Sequence, residues 1–285
     1  MNNSNYKFLL VQGRSIHQTD NSMQYFPSNW KEEFPIINKL GFSGIEWIYD
    51  KKSELSNPIL TKTGRTEMLS VSKKNNVNLE NVVFDYFLSY PFLQNNELLQ
   101  EKNVEKFLIL MQCCSNVGFK RIIFPLLDKN KINSDKEMIN LLKLFDKKII
   151  KQLDSLNIEI HFETSLSPEK EKQIMESLNH KKLKICFDMG NSTSYGFDPV
   201  KVINILDNNL GSVHIKDRKY GGPSTPLGQG DVNFLRVFQS LKLINFSGPI
   251  TFQIYRDEDS DEIFILKNSL TFINEIISKI INDSK

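Results

Sequence analysis

What most constrains this chain is an alternation repeated along its length. Short apolar, β-branched or aromatic runs stand at KFLLVQG (7–13), GIEWIYD (44–50), LENVVFDYF (79–87), RIIFPLL (121–127), IEIHFETS (158–165), LKICFDMGN (183–191), SVHIKDR (212–218) and PITFQIYR (249–256). Each reads as a strand. Between them lie stretches with helical spacing. NWKEEFPIINKLG (29–41) puts Trp30, Phe34, Ile37 and Leu40 on one face and stops at Gly41, a helix C-cap. The stretch 96–118 ends at Gly118 in the same way. The stretch 134–157 opens on Ser134 with Glu137 three residues on, a capping box. The stretch 198–208 has Asp198 as cap and Pro199 at the first helical position. Helices are expected again over 231–245 and 261–280. Strand and helix in turn, eight times over, predict an α/β fold: a (β/α)8 TIM barrel as a single domain over residues 1–285. An open doubly wound sheet would want a glycine-rich turn after the first strand, and VQGRSIHQTD has one glycine.

Charge narrows the partners. The 36 basic and 34 acidic residues leave a net charge of +2, which gives no footprint for nucleic acid or a membrane surface. The apolar run Phe8 to Val11 is too short for a signal-peptide core or a bilayer span. Three cysteines, Cys113, Cys114 and Cys186, do not make a disulfide framework, so a reducing cytoplasm is expected.

Strand alternation then sorts side chains between the two faces. Ile158, Ile160 and Phe162 oppose Glu159, His161 and Glu163; Ile185 and Phe187 oppose Cys186 and Asp188. Val213 and Ile215 oppose Ser212, His214 and Lys216; Ile250, Phe252 and Ile254 oppose Thr251, Gln253 and Tyr255. Four consecutive strands thus have an apolar outer face and a polar inner one. Near their carboxyl ends the inner faces present Glu163, Asp188, His214 and Gln253, at the end of the barrel where active sites of this fold form. One such residue is more often a hydrogen-bonded core group than a ligand. Four on successive strands favour a divalent metal. Carboxylate and amide oxygens suit Mn or Mg, and the imidazole draws the choice toward Mn, Co or Zn. Glu46 also faces inward, His161 reads as a barrel-filling residue, and Trp47 faces outward into the core.

At these residues the chain resembles the sugar phosphate isomerase/epimerase family with the xylose isomerase-like TIM barrel. The segments that carry the resemblance are GFSGIEWIYD (41–50), HFETS (161–165), CFDMGNSTSYGFDPV (186–200), SVHIKDRKYGGPSTPLGQGDVNF (212–234) and GPITFQIYR (248–256). In the ketose 3-epimerases of that superfamily a Glu, an Asp, a His and a second Glu hold one Mn, Mg or Co ion. The resemblance carries the first three onto Glu163, Asp188 and His214. The fourth position here is Gln253, which can ligate through its carbonyl oxygen but cannot act as a base. The implied reaction is proton abstraction by Glu163 next to a metal-bound carbonyl, giving an enediolate. An isomerase needs only that one base; an epimerase would recruit Lys216, Asp217 or Glu46 as a second group.

Expected substrate contacts are Glu46, Asn191, Asp217, Arg218 and Arg256, with Lys216 as a second catalytic group beside Glu163. Asn191 follows DMG, where family members place a substrate-binding side chain. Arg218 and Lys219 open the loop RKYGGPSTPLGQGD, read as a flexible cover for a sugar hydroxyl or phosphate. Two other readings compete. A sugar-binding barrel without turnover is kept alive by Gln253. An apurinic endonuclease-like phosphodiesterase would want several histidines around three metals, and this chain has four in all. Barrels of this kind often associate as homo-dimers or tetramers, and no segment here selects among these states.

Overall fold

The computed structural model describes residues 6–17, 24–256 and 261–282. Positions 18–23, in the loop expected after the first strand, lie outside the described residues.

The first strand is β1 (Phe8–Val11), followed by α1 (Glu33–Leu40) and β2 (Gly44–Ile48). Next come α2 (Lys62–Asn75), β3 (Asn78–Val83), a short α3 (Tyr86–Ser89), α4 (Glu97–Val117) and β4 (Arg121–Leu126). A helix with a π turn at Phe145–Ile149 joins α5 (Asp135–Leu144) to α6 (Ile150–Leu156) and leads to β5 (Glu159–Thr164). Then follow α7 (Pro168–Leu178), β6 (Leu183–Asp188), α8 (Met189–Ser194), α9 (Pro199–Leu206) and β7 (Leu210–Ile215). A two-stranded hairpin, β8 (Asp217–Arg218) with β9 (Ser224–Thr225), precedes α10 (Phe234–Leu243), β10 (Ile250–Phe252) and α11 (Glu262–Asn282).

The eight strands other than the hairpin close into one parallel barrel in the order β1-β10-β7-β6-β5-β4-β3-β2. All eight expected strands are present. So are the six expected helices, the 134–157 stretch being α5 and α6 around the π turn. The caps work as the residue types dictate. Ser134 accepts from the Glu137 N–H, and Gly41 and Gly118 take φ of 86° and 94°, left-handed values that a side chain resists. Two crossover helices, α2 and α7, complete the barrel and escaped the periodicity. Only Met68 of α2 is buried, so it shows almost no apolar stripe.

Alternation partitions the barrel. Outward residues such as Trp47, Phe124, Phe162, Phe187 and Phe252 join the core beneath the helices. There Phe87, Phe92, Phe107, Phe124 and Phe145 pack with ring centroids 5.0–6.1 Å apart, mostly edge to face. Inward residues form layers. Val11, Ile48, Val83, Ile123 and Cys186 make a dry plug. Polar residues fill other interior positions and satisfy one another: His161 Nδ1 meets Ser212 Oγ at 2.9 Å, and Asn81 and Thr251 both donate to Glu46 Oε2. The barrel is a packed floor, and its carboxyl end opens to a cavity.

Candidate functional site

That cavity holds about 570 Å³ and draws its walls from the ends of all eight strands and the segments after them. Gln24 and Tyr25 follow β1, Asp50 to Lys52 follow β2, and Asp85 and Ser89 follow β3. Asp128 follows β4, Glu163 is on β5, Asn191 and Tyr195 follow β6, Lys216 and Arg218 follow β7, and Gln253 follows β10.

The β5–β7 side is a bonded network. Asp188 caps α8, its Oδ1 accepting the Asn191 N–H at 2.8 Å. That cap fixes Asn191, whose Nδ2 donates to Glu163 Oε1 at 3.1 Å. The Asn191 Oδ1 accepts from Arg218 Nη1 at 2.9 Å. Arg218 is itself anchored by Nε and Nη2 on the Gly222 carbonyl. Lys216 Nζ lies 2.9 Å from Asp188 Oδ2. In register, Asp188 is level with His214 across β6 and β7. His214 is fully buried. Its Nδ1 lies 3.7 Å from Glu163 Oε2, and its Nε2 lies 3.0 Å from Glu46 Oε1. A proton on Nε2, facing that carboxylate, leaves a lone pair on Nδ1 facing Glu163.

Electrostatics follow burial and neighbours. Burial raises the pKa of Glu163 and the Asp188 charge adds to this, against an opposing pull from His214. Burial alone would raise Glu46 as well, but His214, Asn81 and Thr251 outweigh it and hold the group below its ordinary value. Burial pushes the Cys186 thiol up to about 11.

The residues fit a divalent cation. Among the described residues, His214 Nδ1 and Gln253 Oε1 are buried polar atoms without a hydrogen-bond partner, while Asp188 Oδ2 is paired with the Lys216 ammonium at 2.9 Å. Such atoms are costly to leave bare, and both belong to the expected ligand set. Glu163 supplies the charged fourth member. Among the described residues, the Glu, Cys, His or Asp grouping whose ligand atoms all lie within 4.8 Å of one another is Glu163, Cys186 and His214, so a sulfur donor stands beside the carboxylate and the imidazole.

Of the expected contacts, Glu163, Asn191, Lys216, Arg218 and Gln253 line the cavity. Asp188, His214, Glu46, Asp217 and Arg256 do not, the first two being buried just beneath it. Glu46 is fully buried beneath His214, because it sits mid-strand and not at the strand end. Asp217 is fully buried and accepts the N–H groups of Gly228, Gly230 and Val232, so it faces its own loop. The loop is thereby a pinned hairpin. A Cβ on Gly230 would lie 2.0 Å from Asp217 Oδ1, which is why a glycine stands there. Arg256 turns to the Gly13 carbonyl and the Tyr25 hydroxyl and stacks over the Tyr25 ring. His17 is exposed and meets Glu262 Oε1 at 3.1 Å. Lys219 is an exposed partner of Asp231.

Several cavity residues were not singled out from sequence. Cys186 shares the parity of Asp188, so alternation had already turned it inward. Asp85 stands in LENVVFDYF just past the end of β3, the position that marks a site residue in this fold. Its Oδ2 accepts from Gln24 Nε2 at 2.7 Å, and burial, helped by the Glu163 charge, raises it to about 7. Gln24 lies in a loop with no period to read. Its Oε1 accepts from Gln253 Nε2.

The sequence model of the family described as xylose isomerase-like TIM barrel matches residues 34–276. Among curated relatives, L-ribulose-5-phosphate 3-epimerase UlaE of Shigella flexneri serotype 5b is 20% identical over 239 residues, covering 81% of this chain and 84% of its own. An uncharacterized protein of Methanocaldococcus jannaschii is 28% identical over 119 residues, 40% of each chain. Among solved structures, D-psicose 3-epimerase with D-tagatose from Clostridium cellulolyticum H10 superposes with a TM-score of 0.76 at 12% identity, over 95% of this chain and 99% of that one. The IOLI protein with a bound zinc atom gives 0.75 at 15% identity, over 96% and 98%. Among the described residues no helix is long and apolar enough to cross a membrane.

Proposed function

Because the chain belongs to the xylose isomerase-like TIM barrel family, we propose that it is a metal-dependent isomerase or epimerase of a sugar or sugar phosphate. One observation carries this reading: the Glu163 carboxylate lies 3.7 Å from the unpartnered Nδ1 of His214, with the unpartnered Gln253 Oε1 and the Lys216-paired Asp188 carboxylate on the neighbouring strands. Those four residues would hold one divalent ion, Mn first, with Mg, Co or Zn as alternatives. The ion would supply Lewis-acid polarisation of a sugar carbonyl, which acidifies the neighbouring C–H.

The rest is done by side chains. Glu163 removes the proton to give the enediolate. Asn191 holds Oε1 of that carboxylate, which leaves Oε2 for the transfer. Returning the proton to the adjoining carbon on the same face, while the hydroxyl proton passes between the two substrate oxygens, completes an isomerisation. In an epimerisation Lys216, on the cavity wall beside Asp188, donates from the other face. Asn191 and Arg218 orient substrate hydroxyls or a phosphate from the hairpin side. The names of UlaE and of the psicose epimerase support a ketose or its phosphate as substrate. The ligand is thus a small molecule, and neither nucleic acid nor a membrane enters this reading.

The test is interconversion of ketoses, aldoses and their phosphates by the purified protein with Mn, followed by NMR with and without a chelator. Chelator-sensitive turnover of a sugar supports the reading. Saturable sugar binding with no turnover across the panel would favour a non-catalytic sugar-binding barrel, the reading that Gln253 suggests.

A further inference from the structure

The amide of Gln253 can face the site in two ways, presenting either a ligating oxygen or an NH2 that repels a cation. A glutamate would have no such ambiguity. We propose that Asp85, acting through Gln24, is a positioning residue that selects the ligating orientation. The inference rests on the metal site proposed above.

The logic is one of donors and acceptors. Above its pKa of about 7 Asp85 is an ionised carboxylate with no proton to give, so its Oδ2 takes an N–H from Gln24, at 2.7 Å. With its NH2 committed, Gln24 turns Oε1 toward Gln253, which must answer with its own NH2. Gln253 Oε1 is thereby left pointing away from the chain. It is buried and has no hydrogen-bond partner among the described residues. An oxygen in that state stores a demand that a cation satisfies. Flipping Gln253 would set carbonyl against carbonyl at Gln24. The acidic end of the relay also polarises both amides in the sense that makes Gln253 Oε1 more negative. In this barrel a neutral residue at the fourth position and a carboxylate on the far side of the cavity form one device.

The experiment is Mn affinity by calorimetry, with no sugar present, in two backgrounds. In the native background Asp85→Leu weakens Mn binding by about tenfold, the scale on which groups behind a ligand act. Gln24→Leu, which leaves Asp85 in place, gives a similar loss. In the Gln253→Glu background the fourth ligand has two equivalent oxygens, so neither substitution weakens binding. Retained affinity in both native-background variants would overturn the relay while leaving the metal site standing. Equal losses in the two backgrounds would also overturn it, since damage to the fold does not depend on residue 253. Failure of the unaltered protein to bind Mn would overturn the metal site itself, and the relay with it.

Discussion

The two sides of the barrel mouth are built differently. On the β5–β7 side the functional groups are charged, stand on strands or in the first turns beyond them, and bond directly to one another through Asp188, Asn191, Glu163 and Arg218. On the β10–β3 side they are amides and a loop carboxylate, joined in series from Gln253 through Gln24 to Asp85. The first side concentrates charge where a proton would move. The second tunes one neutral ligand from a distance. The first is rigid because a helix cap and a pinned hairpin hold it. The second depends on how two amides face.

This contrast can be broken by substitution. The largest loss is expected from Asn191→Ala, which frees Glu163 Oε1 and takes away the acceptor of Arg218 Nη1; Mn affinity should fall by about 10–100-fold. Glu46→Gln acts from below, through the His214 ring, and should cost roughly tenfold in the same titration. Should Asn191→Ala weaken Mn binding less than Gln24→Leu does, the division of labour between the two sides is wrong. Asp217→Asn tests the hairpin that carries Arg218. The amide oxygen can still accept from Gly228 and Gly230, but the NH2 then faces the Val232 N–H, which should cost about 1–3 kcal/mol of stability, read as a lower urea midpoint.

The smallest effect on the site is expected from Glu171→Gln. Burial raises Glu171, hydrogen-bonded to Thr164, from the ordinary 4.5 to about 8. The folded state therefore keeps a proton that the unfolded state has lost between those values. Stability contributed by the protonated group is full below pH 4.5, declines as pH rises, and is gone above about 8. Gln cannot titrate, so the variant should show a flatter fall in the urea midpoint from pH 5 to 8, with Mn affinity unchanged. An unchanged slope would remove Glu171 from the account of pH stability.

What was legible in the sequence divides along the same line. Period-two alternation turned Glu163, Cys186, Asp188, His214 and Gln253 inward, because strand geometry is local and strict. It could not tell how high on β2 Glu46 would sit, and so missed that Glu46 lies beneath His214. Asp217 and Arg256 escaped for another reason. Which way a residue beyond a strand end points is decided by tertiary partners, here three glycine-loop N–H groups and the Tyr25 ring. Gln24 has no periodic context at all. Helix α2 was lost because its exposed, polar face dominates its composition.

The most direct test of the central claim is deuterium incorporation. The protein, loaded with Mn in D2O, would be given the sugar that turns over best, and NMR would follow carbon-bound deuterium. Uptake at one carbon, slowed by about 10²–10⁴-fold in Glu163→Gln, is the predicted result. The labelled carbon then separates C1/C2 isomerisation from C3 epimerisation. Turnover with no deuterium uptake, or undiminished uptake in Glu163→Gln, would contradict proton transfer by Glu163.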